Sequence, residues 1–267
     1  MPAINATSTL LAASGLPIGV FDSGFGGISV LRVLTQQFPQ EDFLFFGDNR
    51  NAPYGVRSIN DIQQLTLSSA KALHRLGIKA LVIACNTATG VALDTLKQSL
   101  PIPVVGIRPA LEWAQTIRKQ GQLLVMATPA TLSSPAYEEM ARRHGERTIH
   151  LPCPGLMEFV ERGELSGPDL HSFLARLLSP YAHTAIDAVV LGCTHYPLLK
   201  DAIASFFPDA PLLDGSGETA LALHEELAAH DLGTVSNTPG TVTFLSSAGF
   251  DVAKRMRTLY QEALPQA

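Results

Sequence analysis

Two cysteines, Cys85 and Cys193, have the sequence surroundings best suited to chemistry. Each ends a short apolar run typical of a buried strand, and each precedes residues with amide, hydroxyl or imidazole side chains. These residues are Asn86, Thr87, Thr194 and His195. A thiol at the start of a helix lies near the positive end of the helix dipole, which should lower its pKa and favour the thiolate. Backbone N–H groups and hydroxyls at such a position also bind carboxylates, so the pattern predicts a small acidic ligand.

The two cysteines occupy matched positions in an internal repeat. With an offset of 108 residues, 78–107 aligns with 186–215 without a gap, and Cys85 falls on Cys193. At a similar offset, the strand and turn VFDSGFGG matches VMATPAT. A chance match between two strand–helix units is the alternative, but the coincidence of a rare residue favours a true repeat. Because loops at the carboxyl ends of parallel strands bind ligands, two facing units would present the thiols from opposite sides of one cleft.

The elements that position these loops follow an α/β pattern. Apolar runs rich in Val, Ile, Leu and Phe alternate with amphipathic segments such as 59–76 and 168–181. Strands that are apolar on both faces and separated by helices are typical of a parallel sheet covered by helices. We therefore predict an α/β fold with two pseudo-symmetric domains. The predicted strands are 18–21, 43–46, 80–84, 104–107, 123–127 and 188–192.

Composition narrows the range of functions. Only 16% of the 267 residues are charged and 46% are hydrophobic, which excludes disorder. The net charge of −5 and the absence of basic runs argue against nucleic acid and anionic membranes as partners. No apolar stretch approaches the roughly 20 residues of a membrane span. An odd number of widely spaced cysteines favours a reducing, cytoplasmic compartment, and we interpret 1–15, which lacks Lys and Arg, as a flexible tail.

Two further segments are candidates for the site. Asp22 and Ser23 follow the first predicted strand, where the alternative role is a helix cap. Tyr54 and Gly55 follow a proline and suit a turn, although the tyrosine could line a cleft. The glycines near Asp22 do not match a dinucleotide fingerprint, and no phosphate-binding loop is present. Cys153 lacks both an apparent strand before it and polar residues after it, so we interpret it as structural.

The sequence is also compatible with three other functions. A zinc site would combine the three cysteines with His195, although no C-x-x-C pair supports it. A hydrolase would use His195 to activate Cys193, which leaves the second matched thiol unexplained. A binding module would clamp an acidic metabolite between two domains without chemistry.

Several motifs resemble those of the glutamate racemases, cofactor-independent members of the aspartate/glutamate racemase superfamily. The motifs are GVFDSGFGG (19–27), GDNRNAPYGVRS (47–58), ACNTAT (84–89), CP…VERGEL (153–165) and LGCTHYPLL (191–199). The resemblance implies two domains, 16–108 plus 216–267 and 109–215, with the active site between them. It also implies proton transfer between L- and D-glutamate without cofactor or metal, supplying D-glutamate for peptidoglycan. A homodimer is a possible assembly.

The resemblance also implies roles for individual residues. Cys85 would act on the D-enantiomer and Cys193 on the L-enantiomer. Asp22 would assist near Cys85, whereas His195 and Glu161 would assist near Cys193. The implied substrate-holding positions are Asp22, Ser23, Tyr54, Gly55, Asn86, Thr87, Thr194 and His195. Three residues, Asn49, Asn51 and Arg108, depart from the family pattern at positions where a change would alter the cleft rim or a subunit contact.

Overall fold

The chain forms two parallel sheets covered by helices, in a computed structural model that describes residues 14–262. The first sheet contains β1 (Ile18–Asp22), β2 (Phe43–Gly47), β3 (Ala80–Ile83), β4 (Val104–Gly106) and β9 (Val242–Ser246), in the order β4-β3-β1-β2-β9. The second contains β5 (Gln122–Ala127), β6 (Thr148–Pro152), β7 (Ile186–Gly192) and β8 (Leu212–Leu213), in the order β6-β5-β7-β8. All strand pairs are parallel, so the predicted α/β class is confirmed.

Eleven α-helices within the described range connect and cover the strands. Those of the first half are α1 (Ile28–Gln37), α2 (Ile59–Arg75), α3 (Asn86–Ser99) and α4 (Leu111–Ile117). Those that follow are α5 (Pro129–Leu132), α6 (Pro135–His144), α7 (Met157–Arg162), α8 (Pro168–Leu178), α9 (Lys200–Ala204), α10 (Ser216–Ala229) and α11 (Phe250–Glu262). The predicted segment 59–76 becomes α2, which Ser58 caps by accepting the Asp61 N–H. The predicted segment 168–181 divides into α8 and a 3-10 turn that contains Pro180. None of these helices has the length and apolar character needed to cross a membrane.

The internal repeat extends over four strands of each sheet. Ala80 pairs with Ile18 in the first sheet, and Ala188 pairs with Leu123 in the second. Strands β4-β3-β1-β2 and β8-β7-β5-β6 therefore occur in the same order, with the matched strands at sequence offsets of 108 or 105. Within residues 14–262, strand β9 has no counterpart in the second sheet. It pairs with β2, so the chain passes through the second sheet and then returns to the first.

The sequence prediction missed three strands, β6, β8 and β9. All three lie at sheet edges, and each has only one buried residue, so none has the longer buried run of a central strand. The expectation that no strand precedes Cys153 is wrong, because β6 ends at Pro152. The predicted flexible tail, 1–15, lies outside the described residues except for Ser14 and Gly15.

A buried ion pair stabilises the base of the first sheet. Lys79 Nζ lies 2.5 Å from Glu41 Oε2 and donates to the Ser14 carbonyl oxygen at 2.6 Å. The second Glu41 oxygen accepts the Thr234 N–H at 2.8 Å. Both charged side chains are almost fully buried, so each depends on its partner for the hydrogen bonds that water would otherwise supply. The pair joins the start of the described chain to the segment before β9.

Candidate active site

Cys85 lies between β3 and α3, where its sulfur caps the helix. The Sγ atom accepts the Ala88 N–H at 3.5 Å and donates to Ser23 Oγ at 3.4 Å. Burial raises the pKa of the Cys85 thiol to about 12, and the nearby charge of Asp22 adds to this rise. The hydrogen bonds with the Ser23 hydroxyl and the Ala88 N–H lower the pKa, but by less. The expectation that the helix start would lower this pKa is therefore wrong, because burial raises it by more than the Ala88 N–H at the helix start lowers it.

Cys193 follows β7 and has different surroundings. A 3-10 turn, Tyr196–Leu199, comes next, and α9 begins only at Lys200. The expectation that an α-helix begins directly after this cysteine is also wrong. Its Sγ instead lies 3.6 Å from Nδ1 of His195, and Nε2 of that imidazole lies 2.7 Å from Glu161 Oε1. The three side chains form a continuous hydrogen-bonded series that ends on the thiol.

His195 and Glu161 shift each other's pKa in opposite directions. Burial lowers the pKa of His195, but its hydrogen bonds to Cys193 and Glu161 raise it well above the usual value. Burial raises the pKa of Glu161, but the bond and charge of His195 and the Phe25 N–H bring it below the usual value. The geometry therefore favours an imidazolium–carboxylate pair beside the Cys193 sulfur.

Asp22 joins the two sheets at the carboxyl end of β1. Its Oδ1 accepts the Gly24 N–H at 2.8 Å, and its Oδ2 accepts the Thr194 hydroxyl at 3.0 Å. Burial raises the pKa of Asp22, although the charge of His195 and these two hydrogen bonds oppose the rise. The helix-cap alternative is wrong, because α1 begins at Ile28 and no side chain caps it.

Glycines in the loop after β1 allow the two sheets to approach closely. A Cβ at Gly24 would overlap Oε1 of Glu161. A Cβ at Gly26 would overlap Thr194 Oγ1 and His195 Nδ1, and it would lie 2.7 Å from His195 Cε1. Real Cβ atoms essentially never come this close to other heavy atoms. These glycines therefore let the first loop pack directly against the partners of Cys193.

A cluster of threonines forms a second junction, near Cys85. Thr87 Oγ1 lies 3.0 Å from the hydroxyls of both Thr128 and Thr131, which are 2.9 Å from each other. Gly55 also approaches this cluster, since a Cβ there would lie 2.7 Å from Thr128 Cβ. Two predicted substrate-holding positions, Thr87 and Gly55, thus contact the opposite half of the molecule.

Tyr54 and Asn86 are placed differently from the other predicted residues. The Tyr54 hydroxyl is buried and donates to Asp48 Oδ2 at 2.6 Å, and burial raises its pKa. Asn51 donates to both oxygens of the same carboxylate at 3.0 Å. Asn86 lines a cavity of about 620 Å³ that Arg108 also lines, and neither Cys85 nor Cys193 lines this cavity.

Sequence reasoning missed several residues around the thiols. Asp48, Thr128, Thr131 and the Phe25 N–H lie in the quoted motifs but were not predicted to belong to the site, although each bonds to a predicted site residue. The internal repeat could have identified Thr128 as a site residue, because the offset of 105 residues between β1 and β5 aligns Thr128 with Ser23.

The zinc alternative receives no structural support in the described part of the chain. No group of three or more His, Cys, Asp or Glu side chains within residues 14–262 is arranged to hold a metal ion. Cys153 is buried and its Sγ donates to the Leu151 carbonyl oxygen at 3.3 Å. This contact agrees with a structural role for Cys153.

A family model and curated relatives show to which class of protein the chain belongs. The family model for Asp/Glu/hydantoin racemases matches residues 18–223. Curated glutamate racemases of Clostridium acetobutylicum and Clostridium novyi are 42% and 41% identical over 234 and 236 residues. The matches cover 86% and 87% of this chain and 91% of each relative.

Solved structures give the same result. The glutamate racemase RacE1 of Bacillus anthracis has a TM-score of 0.83 and 30% identity, and the Francisella tularensis enzyme has 0.78 and 31%. Both matches cover 92% of this chain and 94% of the other. The chain therefore belongs to the glutamate racemases, and it is an isomerase.

Proposed function

We propose that this protein interconverts L- and D-glutamate by proton transfer between Cys85 and Cys193, without a cofactor. The observation that carries this proposal is the matched placement of two buried thiols, each with its own hydrogen-bond partners. Asp22, at the end of β1 in the first sheet, accepts a hydrogen bond from Thr194 beside Cys193, and its charge also adds to the raised pKa of Cys85. The Francisella tularensis and Escherichia coli relatives were solved with D-glutamate and L-glutamate, which supports the choice of substrate.

Two thiols meet the chemical requirement of racemisation. The α-proton of an amino acid is a very weak acid, and a single base would tend to return it to the face from which it came. From L-glutamate, the Cys193 thiolate takes the α-proton, and the electron pair of the broken C–H bond delocalises towards the α-carboxylate. The Cys85 thiol then gives its proton to the opposite face of the carbon. D-glutamate reacts by the same steps in reverse.

The two thiols have different electrostatic surroundings. With its pKa raised to about 12, Cys85 holds its proton at neutral pH and suits the donor role towards L-glutamate. The imidazolium of His195, paired with Glu161, places positive charge beside the Cys193 sulfur, where the proton of L-glutamate is taken.

The remaining predicted residues have supporting roles in this proposal. Ser23 orients the Cys85 sulfur, and Asp22 assists beside it. The positions that hold glutamate are Asp22, Ser23, Tyr54, Gly55, Asn86, Thr87, Thr194 and His195. Residues 16–108 plus 216–267 form one domain and 109–215 the other, which the return of β9 to the first sheet supports. We place the enzyme in the cytoplasm, with a homodimer as a candidate assembly, where it supplies D-glutamate for peptidoglycan and so for cell-wall biogenesis and cell shape.

Loss of optical activity tests this proposal directly. Purified full-length protein is mixed with L-glutamate or D-glutamate, and the circular dichroism of the amino acid is followed. We expect the signal to decay to zero from either enantiomer, and we expect Cys85→Ser and Cys193→Ser to abolish the decay. Cys153→Ala is the matched control and should retain it. A wild-type protein that binds glutamate but leaves its dichroism unchanged would favour the binding-module alternative.

A further inference from the structure

Residues outside the second domain hold Glu161 at three points. Its Oε1 accepts the Phe25 N–H at 2.8 Å, and its Oε2 faces Asn49 Nδ2 at 3.5 Å. Its backbone oxygen accepts Nη2 of Arg255 at 3.0 Å. Glu161 is the only hydrogen-bond partner of His195 Nε2 among the described residues. The three contacts that hold Glu161 therefore also influence the position of the His195 imidazole.

The end of β9 fixes the orientation of Asn49. Ser246 Oγ donates to Asn49 Oδ1 at 2.8 Å, which turns the amide nitrogen towards Glu161. The opposite amide orientation would place two acceptor oxygens against each other, because an ionised carboxylate cannot donate. The loop that carries Asn49 is also hydrogen-bonded to Ser247, which follows β9. Ser247 N donates to the Gly47 carbonyl oxygen at 3.0 Å, and Arg50 N donates to Ser247 Oγ at 3.0 Å.

Arg255 on α11 reinforces this arrangement from an exposed position. Its guanidinium carbon lies 5.0 Å from the centre of the Phe25 ring, within the range of a cation–π contact. The same side chain donates to the Glu161 backbone. Arg255 therefore contacts both Glu161 and the residue whose N–H binds the Glu161 carboxylate.

We propose that Asn49 and Arg255 are positioning residues for Cys193. Together with Ser246 they hold Glu161 against His195, and Glu161 in turn holds the His195 imidazole beside the Cys193 thiol. This inference rests on the proposed two-thiol function. The supporting segment, β9 and α11, has no counterpart in the second half of the repeat. The C-terminal return of the chain thus serves the thiol of the opposite domain.

A physical consequence distinguishes positioning from a simple charge effect. Glu161 has a side chain that is 20% exposed, so it can turn towards solvent when these contacts are lost. His195 then faces Cys193 and Asp22 without its nearest carboxylate, and its pKa falls. Removing the positive charge of Arg255 would by itself raise the pKa of a neighbouring imidazole. The direction of the shift therefore separates the two explanations.

The first measurement is an NMR titration of the His195 imidazole in the full-length protein without glutamate. We expect Asn49→Ala and Arg255→Ala each to move the titration to lower pH. Arg257→Ala is the matched control, since it removes the same charge from an exposed position on α11, and it should leave the titration unchanged. An unchanged or higher His195 pKa in both folded test variants would overturn the proposal.

The second measurement compares racemisation kinetics. We expect kcat to fall roughly threefold to tenfold in the two test variants, with little change in KM, because neither side chain is placed to bind glutamate. Ser246→Ala should show the same pattern more weakly, and Thr243→Ala, an exposed residue of the same strand, should match wild type. If wild type does not racemise glutamate, the proposed function fails while the titration still tests the positioning role. If wild type racemises and the variants equal it in kcat, the positioning role fails alone.

Discussion

The substitution Gly26→Ala tests whether close contact between the two domains sets the position of His195. The added Cβ would lie 2.7 Å from His195 Cε1, whereas ordinary van der Waals contact is 3.4–4 Å. The imidazole must therefore move by about 1 Å, and displacements of that size cost on the order of 100-fold in rate. The backbone of Gly26 does not have a positive φ, so alanine adds no backbone strain.

The assay measures kcat from both enantiomers by circular dichroism and the free energy of unfolding by urea titration. We expect kcat to fall about 100-fold in both directions, while crowding lowers the free energy of unfolding by only about 1–3 kcal/mol. Gly217→Ala is the matched control, because no atom lies within 4 Å of its added Cβ. In helix α10 this alanine should stabilise the fold by about 1 kcal/mol and leave kcat unchanged. A folded Gly26→Ala protein with near-wild-type kcat would refute the reasoning.

Three further perturbations test other parts of the structure. Lys79→Ala should lower the free energy of unfolding by about 3–5 kcal/mol in urea titrations, because it leaves the buried Glu41 carboxylate unpaired; a loss below 1 kcal/mol would contradict this. The Cys85 thiol, with a pKa of about 12, should show no thiolate absorbance at pH 9–10, and its preference for the protonated form should make the fold less stable as pH rises above about 9. His195→Asn should change the pH profile of kcat from L-glutamate more than that from D-glutamate, because Cys193 is the thiol that His195 contacts among the described residues; equal changes in the two kcat profiles would count against this assignment.

The central strands and the repeat were predictable because their residues are buried on both faces. Runs such as 80–84 and 188–192 are continuously apolar, and the cysteines that end them mark equivalent turns. Strands β6 and β9 were not predictable in this way. Their exposed edge positions carry polar residues, and only the neighbouring strand determines that they pair.

The identity of the candidate site residues was easier to predict than their pKa values and their contacts. Sequence placed Cys85 and Cys193 at strand ends, but it could not supply the burial that raises the pKa of Cys85. Nor could it show that Glu161, which is 34 positions from His195, bonds to that imidazole. Such contacts depend on how two domains pack, and the only local traces were glycines whose missing side chains permit the approach.

The most direct test of the two-thiol account follows solvent hydrogen during the reaction. In deuterium oxide, the free thiols exchange before glutamate binds, so the product acquires its α-hydrogen from a deuterated thiol on the opposite face. Early in the reaction from L-glutamate, the account predicts D-glutamate that carries deuterium and recovered L-glutamate that remains protiated, with the mirror result from D-glutamate. Product that retains much of the original α-proton would show that one base serves both faces, and it would contradict the pairing of Cys85 with Cys193.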